Sequence, residues 1–323
     1  GATAIVIDVR FQQPNQADAA LAAAFADARA KGAAVHFAFN ELRDGEPLAV
    51  PALAAAAASV AFACVGKRLG VANAVPVVAR HEKRLFPALA LAAAAPGTAI
   101  DAFDPDALRV PVRREGAPPA RLPLSYVETA RVPQTGCPLV AQGTERGYVL
   151  IEVPAAEALR GAGRRFTLDA VLAGRVPRGT FERRTVIVGV ETDHESFRVA
   201  RGLGTELRFG YELHALAASA LATGSVPRRL DLDSRGWLFL LAAGLGAFAG
   251  YATHRFGRAK VAVLLVAIAA AYFVTTLLVY TRSGLLLNAG YDLVSFLSMF
   301  GLLRLLSRRW LPWHSRPRPA AHA

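Results

Sequence analysis

Ala4-Ile5-Val6-Ile7-Asp8-Val9 decides how the first part of this chain folds. Four of its six residues are β-branched and only one is polar. A short, continuous run of this kind fits a strand of a parallel sheet covered on both faces. The residues that follow fit the crossover such a strand needs. Asn15 can cap a helix, and Asp18 stands three residues on, in a capping-box-like position. Ala17, Leu21, Ala24, Phe25 and Ala28 recur at helical spacing, and Lys31–Gly32 ends the helix. Ala33–Phe39 reads as a second strand, Pro51–Ala58 as a short helix and Val60–Val65 as a third strand. Two strand–helix–strand crossovers in succession imply a parallel sheet.

Further along, residues 85–95 read as another helix. From about 98 to 180 Pro and Gly punctuate the chain, and Arg113–Pro123 reads as an exposed loop. Tyr148–Val153 is a candidate strand and Thr167–Ala173 a candidate helix. Arg184–Val190 is again a buried strand. Gly210 precedes a helix over Tyr211–Thr223, with Leu213, Leu216, Ala217, Ala220 and Leu221 on one face and Gly224 at its end. The expected fold class is α/β, a mainly parallel sheet with flanking helices.

Three strongly apolar segments then follow: Trp237–Thr253, Val261–Tyr280 and Leu285–Leu303. A helix needs roughly 20 apolar residues to cross a bilayer, so three transmembrane helices are expected. The chain therefore divides into an extracytoplasmic domain over 1–235, a membrane region over 236–306 and a short basic tail over 307–323. Orientation follows from the basic residues. Arg255, Arg258 and Lys260 lie between the first two segments, and Arg308, Arg309, Arg316 and Arg318 in the tail; only Arg282 lies between the second and third. Excess Lys and Arg marks the cytoplasmic side, which puts residues 1–235 outside a cytoplasmic (inner) membrane crossed several times. Arg228, Arg229 and Arg235 argue mildly the other way.

The net charge of +12 has the same origin. Residues 236–323 hold nine of the 37 Lys and Arg but one of the 25 acids, Asp292. The basic balance is a topology signal rather than a nucleic-acid footprint, and no nucleic-acid partner is expected. Cys64 and Cys137 both fall in the outer module, where an oxidising compartment permits a disulfide. Cys64 lies in an apolar run that also suits a buried free thiol, and free thiols are the plainer expectation. An exported domain needs a leader or leading span, so the natural chain is expected to start upstream of Gly1.

The opening Gly1-Ala2-Thr3-Ala4-Ile5-Val6-Ile7-Asp8-Val9-Arg10-Phe11, with Pro14 and Asp18-x-x-Leu21, resembles the early part of the type-two CHASE domain, a cyclase/histidine-kinase-associated sensory extracellular domain. Val186-Ile187-Val188-Gly189, then Gly210-Tyr211-Glu212-Leu213-His214-Ala215, is similar to that family's closing strand and Gly-x-Glu-x-His-Ala helix. The order of one domain followed by three spans completes the likeness. The resemblance gives Phe11, Asp18, Gly189, Gly210, Glu212 and His214 as motif residues. It also implies a sensor of an outside signal that acts through its spans on a cytoplasmic output. Two departures stand out. Family members begin with a span, a strand and a helix ahead of the strand seen here at residue 1. The segment after Gly189, Val-Glu-Thr-Asp-His-Glu-Ser-Phe, lacks the usual small-residue and Thr-Pro pattern.

No enzyme signature is found. His81-Glu82 and His194-Glu195 lack the second His of a zinc-protease motif, and Gly202-x-Gly204 is no dinucleotide fingerprint. No nucleophile elbow or phosphate loop occurs. No catalysis, metal or cofactor is expected. Asp193, His194, Glu195, Glu212 and His214 could in principle gather around a metal, because the loop that carries the first three returns to the helix start. Glu212 and His214 are two apart on a helix, however, so capping and surface roles are the expectation for them. Asp8 is different, because it lies near the C-terminal end of a buried strand, where open parallel sheets take their ligands. Asn40, Glu191 and Asp193 should share that rim, and the rim rather than the helix start is expected to hold any ligand pocket. Its alternative is a buried Asp that caps the next loop. In the membrane region, Gly246-x-x-x-Gly250 lets helices approach closely, within one chain or between two. Asp292 faces a bundle interior if deep, and is interfacial if its helix starts near Ala289.

The function expected is a membrane-anchored extracytoplasmic sensor module. Its expected partners are membrane lipid, a small-molecule or protein signal, and a cytoplasmic or membrane signalling protein, with a homodimer compatible. The alternative is a non-catalytic structural membrane component whose outer domain binds a protein or envelope polymer. A membrane-tethered hydrolase has least support.

Overall fold

The computed structural model describes residues 1–68, 71–100, 102–103, 107–114, 118–129, 144–154, 165–201, 204–229, 232–255, 258–283, 285–286 and 289–310. The chain separates into two compact units, Gly1–Pro227 and Arg228–Ala323. The division falls before residue 235 because helix begins at Leu232, ahead of the apolar stretch, and Arg228–Arg229 already pairs with Leu285–Leu286. Cys137 and the tail from residue 311 lie outside the described residues.

The first unit opens as its sequence implies: β1 (Ala4–Arg10), α1 (Asp18–Ala30), β2 (Ala34–Phe39), α2 (Pro51–Ala56) and β3 (Ser59–Phe62). The three strands are parallel neighbours in the order β1-β2-β3. Alternate side chains enter opposite faces. Ile5, Ile7, Val35 and Phe37 pack against Leu21 and Phe25 of α1 and Leu53 of α2. Helix α1 starts later than an Asn15 cap implies, yet the reciprocal contacts form. Asn15 Oδ1 accepts the Ala17 amide at 2.7 Å, and Asp18 Oδ2 accepts the Asn15 amide at 2.8 Å.

A second, antiparallel sheet follows, and the sequence pattern did not show it. β4 (Val71–His81) turns into β5 (Arg84–Pro87), so the helix expected over 85–95 shortens to α3 (Leu89–Ala94). β6 (Tyr126–Thr129) and β7 (Glu145–Leu150) extend the sheet on the other side of β4. The region read as an exposed loop forms antiparallel strands instead, Arg109–Arg114 and Ala120–Pro123. Cys64 is buried and disulfide-bonded rather than a free thiol.

The chain then returns to the first sheet. After α4 (Leu168–Leu172), capped by Thr167 Oγ1, β8 (Thr185–Gly189) lies parallel to β1, with Asp8 opposite Gly189. The completed order is β8-β1-β2-β3. The hairpin of β9 (Ser196–Arg201) and β10 (Gly204–Phe209) leads into α5 (Gly210–Thr223), which ends at Gly224 with φ +69°. Helices α3 and α5 cover the second face of the parallel sheet, where Val6, Ala38, Ala61 and Ile187 meet Leu89, Ala92, Ala93 and Ala218.

The second unit holds α6 (Leu232–Arg255), α7 (Arg258–Ser283) and α8 (Ala289–Trp310). Within α7, Ala259–Arg282 is long and apolar enough to cross a membrane, and Gly236–Tyr251 of α6 is a shorter apolar stretch. The third apolar segment begins its helix at Ala289, since Leu285–Leu286 is strand. Asp292 is therefore in the first turn of α8. It is buried and accepts a hydrogen bond from the Tyr272 hydroxyl of α7.

Candidate functional site

The parallel sheet grows from β1 in two directions, with β2 and β3 on one side and β8 on the other. Such a reversal of strand order opens a crevice at the carboxyl ends of the two strands that diverge there. Here those ends are Asp8–Arg10 and Gly189, and the segment after Gly189 carries Glu191, Asp193 and Glu195. The first turn of α5 stands at the same place. A Cβ built on Gly210 would lie 3.5 Å from Asp8 Oδ2, 3.7 Å from Glu195 Oε2 and 3.3 Å from the Phe197 ring. Gly189 explains how α5 comes so close to the sheet. Its missing side chain leaves room for Tyr211, whose Cβ and ring atoms would be 2.5 Å from any Cβ at position 189.

Two sets of charged groups flank that first turn. On one flank, Glu212 Oε2 accepts the Phe209 amide at 3.0 Å, the reach-back half of a capping box. Its Oε1 pairs with Arg165 at 3.1 Å and lies 3.9 Å from Arg208. Arg165 also pairs with Glu191, which accepts the Tyr211 hydroxyl at 2.9 Å. The Arg165 guanidinium lies 5.9 and 5.8 Å from the stacked Phe209 and Tyr211 rings. Glu191 and Glu212 are thus both occupied by one arginine.

On the other flank are Asp8, Glu195 and His214. His214 is 1% exposed, and its buried Nδ1 has no hydrogen-bond partner. Burial pushes its pKa below the ordinary histidine value, and the Asp8 and Glu195 carboxylates oppose that shift only in part. Glu195 pairs with Arg10 at 3.2 Å, with both side chains partly exposed. No hydrogen bond to the Asp8 carboxylate occurs among the described residues.

The expected rim is therefore assembled unevenly. Asp8 reaches the α5 start. Glu191 is tied into the arginine network. Asn40 is buried at the end of β2, where its Oδ1 accepts Gln12 Nε2 at 2.8 Å. Asp193 is exposed in the 3-10 turn Asp193–Glu195, with its carbonyl accepting the Ser196 hydroxyl at 2.7 Å. The surface role expected of Glu212 and His214 is corrected, because both are buried. The rim and the helix start, set against each other from the sequence, adjoin, since Asp8 lies against Gly210 at the first turn of α5 and its charge acts on His214. Among the other motif residues, Phe11 packs edge-on against Phe37 at 5.5 Å and Asp18 is buried at the start of α1.

Sequence reasoning missed Arg10 and Arg165 as parts of the site, and weighed Glu195 only as a metal ligand. Arg10 could have been found as the last residue of the deciding strand. Nothing local marks Arg165, whose partners lie 26 and 47 residues further on. Among the described residues no group of three His, Cys, Asp or Glu side chains is placed to hold a metal ion. An open depression of about 460 Å³ lies elsewhere, at the β4–β5 turn between Arg80, Glu82, Lys83 and Glu145, and contains none of these residues.

Comparison with curated proteins finds no match, and comparison with solved structures finds none. The family model of the CHASE2 domain, an extracellular sensory domain, matches residues 1–251, which include the strand, crevice and helix described above. The chain belongs to the CHASE2 domain family.

Proposed function

We propose that this chain is a membrane-anchored sensor. Its first unit meets a signal outside the cytoplasm in the crevice between β1, β8 and α5, and α6, α7 and α8 carry the consequence across the inner membrane to a signalling partner. The observation that carries this reading is the convergence, at one strand-order reversal, of polar groups from β1, the turn after β8 and α5. Strand reversals of this kind are where open α/β sheets take ligands. The Cys64 disulfide supports an oxidising compartment for the domain. Ala259–Arg282 of α7 is long and apolar enough for a core about 30 Å thick, and the flanking helices α6 and α8, of 24 and 22 residues, rise about 36 and 33 Å, which supports further crossings. Arg255, Arg258 and Lys260 at the connection of α6 and α7 favour the cytoplasmic side for that connection, which supports a domain on the outside. The chain acts by binding and has no turnover of its own.

Impermeant thiol labelling of intact cells tests the orientation. A cysteine at Ala30, exposed on α1, should label in intact cells, and a cysteine at Ala259 only after the membrane is opened. Labelling of Ala259→Cys but not Ala30→Cys in intact cells would overturn the reading.

A further inference from the structure

We infer that the strand-start end of the first unit, together with helix α4, is a docking surface for an anionic phospholipid bilayer. The inference rests on the reading of this chain as membrane-anchored.

Three observations carry it. First, hydrogen bonds along that end draw basic residues from separate segments together. The Arg184 carbonyl accepts the Thr3 amide and the Thr3 carbonyl accepts the Ala34 amide, each at 3.0 Å. The Arg29 guanidinium reaches from α1 to the Ala56 and Ala57 carbonyl oxygens at 3.1 and 3.3 Å. Arg183 and Arg184 thus share one end of the sheet with Arg29 and Lys31, and all four are exposed. Second, the segment that leads into β8 is basic and apolar at once. Leu168, Val171 and Leu172 share a face of α4 and are 65, 39 and 76% exposed. Arg175 and Arg178 follow, both exposed. Phe166, just before α4, packs edge-on against Phe181 at 5.7 Å, and the Phe181 carbonyl accepts the Arg184 amide at 3.3 Å. That brings α4 close to Arg183 and Arg184. Among the described residues no carboxylate pairs with Arg175, Arg178, Arg183 or Arg184; the acids of the segment are Asp169 and Glu182. Third, the chain leaves the unit from this end. Gly210 at the start of α5 lies against Asp8, at the carboxyl end of β1. Ala218 packs in one cluster with Val6 and Ala93, and the Ala93 carbonyl accepts the Thr185 hydroxyl at the start of β8. Helix α5 therefore runs toward the strand starts, and the unit ends at Pro227 soon after its Gly224 cap. Helix α6 begins at Leu232, so on an anchored chain lipid is within short reach of this end.

The chemistry selects lipid. Exposed leucines beside arginines suit the boundary between headgroups and acyl chains, where the apolar side chains enter and the guanidinium groups meet phosphate. A layer of anionic headgroups attracts every one of these cations. A second copy docked two-fold on the same face would set arginine against arginine.

The test uses the full chain in nanodiscs of phosphatidylcholine, with and without phosphatidylglycerol, that also carry a lipid with a nitroxide at its headgroup. A bimane fluorophore is placed on Leu172→Cys or, as a control, on Gln16→Cys, exposed at the opposite end of the sheet. The native chain has no free cysteine among the described residues. In discs with phosphatidylglycerol the nitroxide should quench Leu172→Cys several-fold more than Gln16→Cys. Arg183→Gln combined with Arg184→Gln, both at exposed positions, should remove most of that difference. So should molar salt, which cuts the screening length to about 3 Å. Equal quenching at the two sites would overturn the inference. Quenching at Leu172→Cys that is the same without phosphatidylglycerol, or unchanged by the arginine substitutions, would overturn the anionic chemistry. An emission shift at Leu172→Cys that follows protein concentration in detergent, without quenching in discs, would assign the face to a second copy instead. Failure of the chain to enter discs at all would overturn the anchoring, whereas entry without quenching overturns the docking surface alone.

Discussion

His36 is a second buried histidine, held in β2 with Nδ1 against Ser59 Oγ at 2.8 Å and Nε2 without a partner. Burial lowers its pKa from 6.5 to about 4. A histidine held neutral in the folded state binds its proton mainly when the chain unfolds. Between about pH 6.5 and pH 4 the unfolded chain therefore takes up more protons, and stability falls as pH falls. The full shift corresponds to on the order of 3 kcal/mol. Thermal unfolding of the full chain should thus occur at lower temperature at pH 4.5 than at pH 7. His36→Gln, which does not titrate, should flatten that dependence in part, and His214 should account for further loss in the same direction. An unchanged pH dependence in the variant would show that His36 carries no proton linkage. At this scale Asp8 was legible, because a lone carboxylate inside an apolar strand stands out. The burial of His214 was not, since two-apart spacing on a helix says which faces differ and not which face is covered.

Among the elements, the α6–α8 contact is set by glycine. A Cβ on Gly246 would overlap the Phe296 carbonyl oxygen, and one on Gly250 would come within 2.9 Å of the Phe300 carbonyl oxygen. The motif is therefore used inside this chain, backbone against backbone, as small residues permit in helix pairs. Ser295 Oγ adds a bond to the Phe239 carbonyl oxygen at 3.2 Å. Gly246→Ala should destabilise the helix pair by about 1–3 kcal/mol, the usual cost of overpacking. Gly244→Ala, which meets nothing within 4 Å, should be neutral or slightly stabilising through helix propensity. Unfolding temperatures in detergent compare the two, and equal effects would refute the packing account. The parallel strands were legible as apolar runs, whereas β4 was not, because Pro76 breaks its pattern. The ladder accommodates that proline by a register shift, with Gly147 opposite Val78 and Tyr148 opposite Pro76. Leu285–Leu286 misled for a different reason, since a short apolar run has no period that separates strand from helix.

Across the whole molecule the covalent constraint is the Cys64 disulfide, in a chain with two cysteines. Losing a native disulfide typically costs 2–5 kcal/mol. Reductant should therefore lower the unfolding temperature of the wild-type chain, and Cys64→Ser should start lower and be insensitive to reductant. A reductant effect of equal size in Cys64→Ser would show that the disulfide is not its cause. The sequence could not decide this, because an apolar run suits a buried thiol and a buried disulfide equally. The α/β class and the buried strand after Arg184 were legible in the sequence, but the place of that strand beside β1 was not, and the second sheet was hidden by its irregular strands. The placement of β8 against β1 also sets a timetable. The partner of the fourth residue of the chain is Thr185, so the parallel sheet cannot close until nearly the whole domain has been synthesised. Contacts of such sequence separation form slowly, and β1 must wait with one edge unpaired. A domain that folds in this order keeps its first strand open along one edge while the residues between are made, and the sheet locks only when β8 arrives.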